Sequence, residues 1–179
     1  MLFLSIKGRI NFLQLERYGK YSEQRYRQLP IAIGMIFLSF NKELVRTQGS
    51  GHYVIAIDPS FITKAGKKMP GLGYFWSGQA GQAKRGLEIT GIAAIDIDHH
   101  TGFHLEAVQT ILKEDENRTL SAIYADIISQ RKDALLSLST IVVADAWFSK
   151  RSFVDTILSS GFHVISRLRD DANLKYLHT

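Results

Sequence analysis

Two stretches of the chain share one design. His52–Ser60 reads HYVIAIDPS and Thr140–Lys150 reads TIVVADAWFSK. In each, β-branched and small apolar residues (Val54 to Ile57, Ile141 to Ala144) run without polar interruption into a single aspartate, Asp58 or Asp145. Such a run predicts a short strand buried on both faces. Pro59 has no N–H for a ladder, so the first strand is expected to span 52–58 and stop there. An acid at the end of a buried strand is costly without a partner. On the first stretch alone an ordinary reading stays open, an aspartate capping the next turn through Ser60 or Thr63. The second stretch alters that reading. If the two strands are parallel neighbours, both carboxylates leave one edge of one sheet, where they repel and call for a hard cation such as Mg²⁺ or Mn²⁺.

The remaining pattern supplies the other elements. Residues 87–97 (LEITGIAAIDI) and 102–110 (GFHLEAVQT) read as two strands joined by a turn at His99, His100, Thr101 and Gly102. Leu120, Ile123, Tyr124, Ile127 and Ile128 follow helical spacing and predict a helix over 119–136. After the strand at 140–144, Ser149 is expected to cap a helix with Phe153, Ile157 and Leu158 inside and Gly161 at its end. Residues 162–168 (FHVISRL) read as a fifth strand. The long segment between Pro59 and Gly86, rich in Gly and Lys, reads as a loop. It contains no G-x-x-x-x-G-K-[ST] motif and no dinucleotide fingerprint. Phe75 and Trp76 within it are expected to pack on the body, with base stacking as the alternative. Asp96, Asp98, His99, His100 and His104 cluster at the predicted hairpin, in a spacing that matches no established zinc motif.

The order β-β-β-α-β-α-β predicts an α/β fold with a mixed sheet. Strands 1-2-3 form an antiparallel meander, and a right-handed helical crossover returns strands 4 and 5 parallel to strand 1. Ligands of such sheets gather at the carboxyl ends of the strands. Asp58 and Asp145, far apart in sequence, are therefore expected side by side.

Residues 1–49 read as a mostly helical segment, and Gly49-Ser50-Gly51 as a hinge before a core at 50–179. The helical segment carries the charge. The net formal charge is +5; residues 1–50 hold 8 Lys/Arg against 3 Asp/Glu, and the remainder balances. Arg17, Lys20, Arg25 and Arg27 alternate there with Tyr18, Tyr21 and Tyr26. A basic, aromatic segment on a neutral body suits a polyanion. The longest apolar run, Leu29–Phe40, has 12 residues, short of the roughly 20 that span a bilayer. It is expected to be buried against protein. The 179 residues contain no cysteine, which excludes disulfides and thiolate metal sites. With no signal-peptide layout at the start, the chain reads as soluble and cytoplasmic.

The words YVIAIDPSFI, GLGYFWSGQAGQAKRGLEI and VVADAWFSKRSFVDTILSSGFHVISRLRDDA, with the opening GRINFLQLERYGKYSEQRYRQL, resemble the RNase H-like catalytic core of DDE transposases, most closely those of bacterial insertion sequences. The resemblance covers nearly the whole chain. It implies Mg²⁺-dependent (or Mn²⁺-dependent) phosphodiester hydrolysis and strand transfer in DNA transposition, with Asp58 and Asp145 as catalytic metal ligands. It implies DNA, both transposon ends and target, as partner, a homodimer for the full-length protein, and no membrane. Lys64, Lys67, Lys68, Lys84, Arg85, Arg167 and Arg169 are the expected contacts to the DNA backbone. The family's third acid is usually a Glu on a later helix. Beyond Arg169 this sequence has Asp170 and Asp171 but no Glu, so the core is expected to be incomplete at its C-terminal end and inactive alone. Three other readings compete. One is a DNA-binding or inhibitory transposase remnant. Another is a haloacid-dehalogenase-like phosphotransferase with Asp58 as nucleophile, disfavoured by Ser60 where a second Asp belongs. The last is a structural domain whose acids are accidental.

Overall fold

The computed structural model describes residues 12–28, 30–66, 69–112 and 118–170. The chain forms two compact units, Met1–Phe40 and Asn41–Thr179. The first contains α1 (Phe12–Tyr18) and α2 (Glu23–Gln28), and α3 (Pro30–Gln48) runs from it into the second. Ser22 starts α2, its hydroxyl accepting from the Arg25 N–H at 3.3 Å. Phe37 and Phe40, at the end of the apolar run, are exposed rather than buried; the side chains of residues 29–36, on which the rest of that expectation falls, lie outside those described. Asn41, Lys42 and Glu43 follow directly, so the run's last turn belongs to a helix that turns polar. Among the described residues no helix is long and apolar enough to cross a membrane.

The second unit is built on one six-stranded mixed sheet: β1 (Tyr53–Thr63), β2 (Gly73–Ser77), β3 (Gln82–Asp96), β4 (Thr101–Gln109), β5 (Ile141–Ala144) and β6 (His163–Ser166). Their order is β2-β3-β1-β5-β6, with β4 also on β3. β1, β3 and β4 form the expected antiparallel meander. β5 returns parallel to β1, and β6 parallel to β5. This is the RNase H-like mixed sheet the sequence implies, with one strand more.

The extra strand is β2, which replaces part of the predicted loop. Tyr74, Phe75 and Trp76 alternate exposed, buried, exposed, the period-2 pattern of a half-covered strand. A tight turn with Gly81 at φ +60° joins β2 to β3. β3 is long enough to carry β2 on its first residues and β4 on its last. At Gly86, where β2 and β1 both pair with β3, a Cβ would stand 2.5 Å from the Ile62 carbonyl oxygen, so only glycine fits.

β1 also exceeds its expected length, running through Pro59 to Thr63. It pairs with β5 only at Ile55 and Ala56. At Pro59 the strand has a single ladder neighbour, β3, and the missing N–H breaks no pairing on the other side.

The predicted long helix is two helices, α4 (Leu120–Ser129) and α5 (Lys132–Leu136). Arg131 stands at the break, with its guanidinium bonded to both Glu106 carboxylate oxygens and to the Ile127 carbonyl. α4 begins at Thr119, whose hydroxyl accepts from the Ala122 N–H. Ser149 does not cap α6 (Arg151–Ser159). A 3₁₀ turn at Ala146–Phe148 ends on Ser149, whose hydroxyl donates to the Ala146 carbonyl at 2.8 Å. At the other end of α6 the expectation holds. Gly161 has φ +93°, Gly161 N–H reaches Leu158 O and Phe162 N–H reaches Ile157 O, a Schellman ending.

α4 and α6 lie together, with the Ser121 and Ser152 hydroxyls 2.8 Å apart. Their inner faces complete the core: Tyr124, Ile128, Phe153 and Ile157 are buried with Ile55, Ile92 and Val142 of the sheet. Each such side chain contributes about 1.5–3 kcal/mol of transfer free energy. The aromatic part of this core, Tyr124, Phe148 and Phe153, adjoins the end of β5.

Candidate active site

The strand register positions the two aspartates. Ala56 pairs with Val143 in the parallel β1–β5 ladder. Two residues further along the chain stand Asp58, still within β1, and Asp145, directly past the end of β5, so the parallel pairing brings both to one edge of the sheet. Both are exposed, and both line a pocket of about 290 Å³ together with Pro59, Trp76, Glu88, Leu120, Tyr124, Trp147 and Phe148. Asp58 lies within β1, so it has no turn to cap, and the ordinary reading through Ser60 or Thr63 fails. Partial burial raises the Asp58 carboxyl above its usual range, and the Asp145 charge raises it further.

Asp145 is held on two sides. Its Oδ1 accepts from the Trp147 N–H at 2.9 Å, and its carbonyl accepts from the Ser166 hydroxyl at 2.7 Å. The side chain thus begins the 3₁₀ turn while the backbone is tied to the end of β6. Trp147 then turns its ring onto Tyr124, edge to face at 5.6 Å. The donor set suits Mg²⁺ or Mn²⁺. Two hard oxygen ligands of like charge face open solvent, and Mg²⁺ is commonly bound by one or two carboxylates with water and phosphate completing its shell. Among the described residues no group of three or more His, Cys, Asp or Glu stands close enough to share one ion.

The expected DNA-binding residues separate into two groups. Lys64 follows the end of β1, and Lys84 and Arg85 pair with Phe75 and Tyr74 in the β2–β3 hairpin. All three are exposed. Lys64 lies six residues beyond Asp58, roughly 20 Å along an extended strand. Arg167 and Arg169 instead line a cavity of about 430 Å³ with Ala146, Leu168 and Asp170, directly beside Asp145. Lys67 and Lys68 lie outside the described residues, as does Asp171.

Four residues of this region escaped the sequence reading of the site. Lys150 holds its ammonium 3.6 Å over the Trp147 ring, and burial, then the Arg169 charge, lowers its pKa. Glu88 and Tyr124 form the buried end of the pocket. Trp147 carries the bond to Asp145. Glu88 had a signal, as a lone acid inside the apolar run LEITGIAAI. The expectation that Phe75 and Trp76 both pack is half met: Phe75 is buried, whereas Trp76 is 65% exposed at the pocket rim.

The predicted hairpin cluster has a different character. Asp96 is fully buried. Its carboxylate accepts from the Ser50 N–H and hydroxyl, both at 2.7 Å, and from the His99 N–H at 3.0 Å. Asp98 faces His52 at 2.8 Å. The cluster is a clamp between the residues after α3 and the β3–β4 turn.

Comparison with known proteins bears on the whole of this unit. The family profile described as DDE superfamily endonuclease matches residues 40–177. Among solved structures the chain is similar to the piggyBac transposase in a synaptic complex with hairpin DNA, at 13% identity and a TM-score of 0.45 over 70% of this chain and 24% of that one. It is also similar to the Mos1 mariner paired end complex with Mn, at 14% identity and a TM-score of 0.30 over 90% of this chain and 56% of that one. It therefore spans about a quarter of the first and just over half of the second. No curated protein matches.

Proposed function

The chain belongs to the DDE superfamily endonuclease family, and on that premise we propose that residues 41–179 are the nuclease core of a transposase, in which Asp58 and Asp145 bind divalent metal for phosphodiester chemistry on DNA. The observation that carries the reading is the register of β1 against β5, which brings two mutually repelling carboxylates to one pocket. Bound Mg²⁺ or Mn²⁺ supplies activation of water or a 3′-hydroxyl and neutralises charge on the scissile phosphate. The chain's own residues do the remainder. Trp147 N–H and Ser166 fix Asp145. Asp58 stays free to move toward a cation. Arg167, Arg169 and Lys150 face phosphate next to the acids, and Lys64, Lys84 and Arg85 hold the backbone farther along the DNA.

Among the described residues no third acid stands close enough to share an ion with Asp58 and Asp145, which supports a further part of this reading: the 179-residue chain binds metal and DNA but does not transfer strands alone. Incubating the purified chain with supercoiled plasmid and Mg²⁺ tests it. The expected outcome is salt-sensitive DNA binding without nicking. Robust nicking that disappears in Asp58→Ala would overturn the inactivity while keeping the acid pair. Nicking indifferent to Asp58→Ala would overturn both.

A further inference from the structure

The buried end of the acid pocket contains a third carboxylate. Glu88 is 5% exposed, on a strand whose neighbours Leu87 and Thr90 are also buried, yet its side chain lines the same pocket as Asp58 and Asp145. Its backbone is fixed by Thr110, whose N–H donates to the Glu88 carbonyl at 2.9 Å. Its Oε1 accepts a hydrogen bond from the Tyr124 hydroxyl. Tyr124 in turn packs against two rings of the turn that follows Asp145, Trp147 at 5.6 Å and Phe148 at 5.5 Å. A continuous path therefore runs from Glu88 through Tyr124 and Trp147 to Asp145.

A purely structural role explains this arrangement poorly. Burying a carboxylate costs more than one hydroxyl returns, and an apolar pair of similar volume generally fills such a site at least as well. The phenol is held far above its usual range by burial and by Glu88, so Tyr124 remains a donor at every working pH. What the acid gains at this position is access to the pocket. It lines the same pocket as the open acid pair from a buried position, where bulk water screens its charge less.

We propose that Glu88, fixed by Tyr124, is a positioning residue of the metal site, a third carboxylate that increases the pocket's affinity for divalent cations without itself sharing the ion held by Asp58 and Asp145. It adds negative charge to the pocket floor and accepts from water that enters there. This rests on the acid-pair reading of the preceding section.

The test is Mn²⁺ binding by the full chain, followed by paramagnetic resonance, in the wild type, Glu88→Gln, Tyr124→Phe and Asp58→Asn, with metal-free thermal midpoints alongside. Gln keeps the shape and the acceptor for Tyr124 but removes the charge. The expected result for Glu88→Gln is binding weakened about tenfold with a near-native midpoint, the size a neighbouring charge exerts in a partly desolvated site. Tyr124→Phe, which keeps the packing, is expected to weaken binding about threefold by releasing Glu88. Wild-type affinity in Glu88→Gln, with binding lost in Asp58→Asn, would make Glu88 structural and overturn this proposal alone. Wild-type affinity in all variants would overturn the acid-pair reading with it. If Glu88→Gln does not fold, Tyr124→Phe decides, and unchanged affinity there is equally fatal.

Discussion

Asp58 and Asp96 stand on the same β1–β3 ladder, Asp58 at its middle opposite Gly91 and Asp96 at its end opposite Tyr53. One is exposed and raised in pKa; the other is fully buried and pulled well below the usual range. Burial alone predicts the reverse. Burial does push Asp96 upward, but hydrogen bonds from His99 and Ser50, with the His99 charge, outweigh it. Asp58 has instead a like charge for a neighbour. Satisfied donors hold Asp96 as a structural acid, whereas the repulsion at Asp58 is what the proposed cation would relieve.

The largest effect that separates the two is on folding. Asp96→Ala strands the Ser50 and His99 donors beside a cavity, and is expected to lower the thermal midpoint by several degrees. Asp58→Asn is expected to leave the metal-free midpoint unchanged or slightly raised, by under about 1 kcal/mol for so exposed a group. Differential scanning calorimetry of both reads the contrast directly. Destabilisation by Asp58→Asn greater than by Asp96→Ala would break it.

The pH dependence has opposite signs. Asp96 has a folded pKa below its ordinary 3.8, so its contribution is present above that value and is lost as pH falls below it. Asp58 has a raised folded pKa, so its ionised form opposes folding at neutral pH, and the penalty shrinks as pH falls through that raised value and is gone below the ordinary 3.8. Urea unfolding from pH 7 down to pH 3 is expected to show wild type and Asp58→Asn converging on acidification. Asp96→Ala should start lower and lose less stability below about pH 4.

This contrast was only partly legible in the sequence. Both Asp words are strands in their own right, and β-branched runs ending in an acid are a strong local signal. The meander and the crossover follow from the order of elements, so the fold and the neighbourhood of Asp58 and Asp145 were readable. β2 was not, because GYFWS is five residues set among glycines and lysines, and its alternation shows only once β3 is known to extend to Gln82. Nor was the length of β1, since whether Pro59 ends a strand depends on which neighbour it faces. Asp96 and Asp98 alternate onto one face, yet Asp96 bonds Ser50, 46 residues away, a tertiary fact no period encodes.

Smaller effects sharpen the DNA side of the account. Trp76→Ala is expected to weaken binding of single-stranded oligonucleotide by about 1–3 kcal/mol, the worth of one stacked base. Its fold should be preserved, because the ring is exposed. Fluorescence anisotropy measures this, and no change would return Trp76 to an idle surface position. Smallest is the expected effect of Lys84→Ala, a uniform loss across DNA sequences with the salt slope reduced by about one.

The central claim is that Asp58 and Asp145 share a divalent cation. Its most direct test is a Mn²⁺ titration followed by paramagnetic resonance on the wild type, Asp58→Asn and Asp145→Asn. The account predicts saturable binding in the wild type and marked weakening in each variant alone. Identical Mn²⁺ spectra and affinities for all three proteins would contradict it.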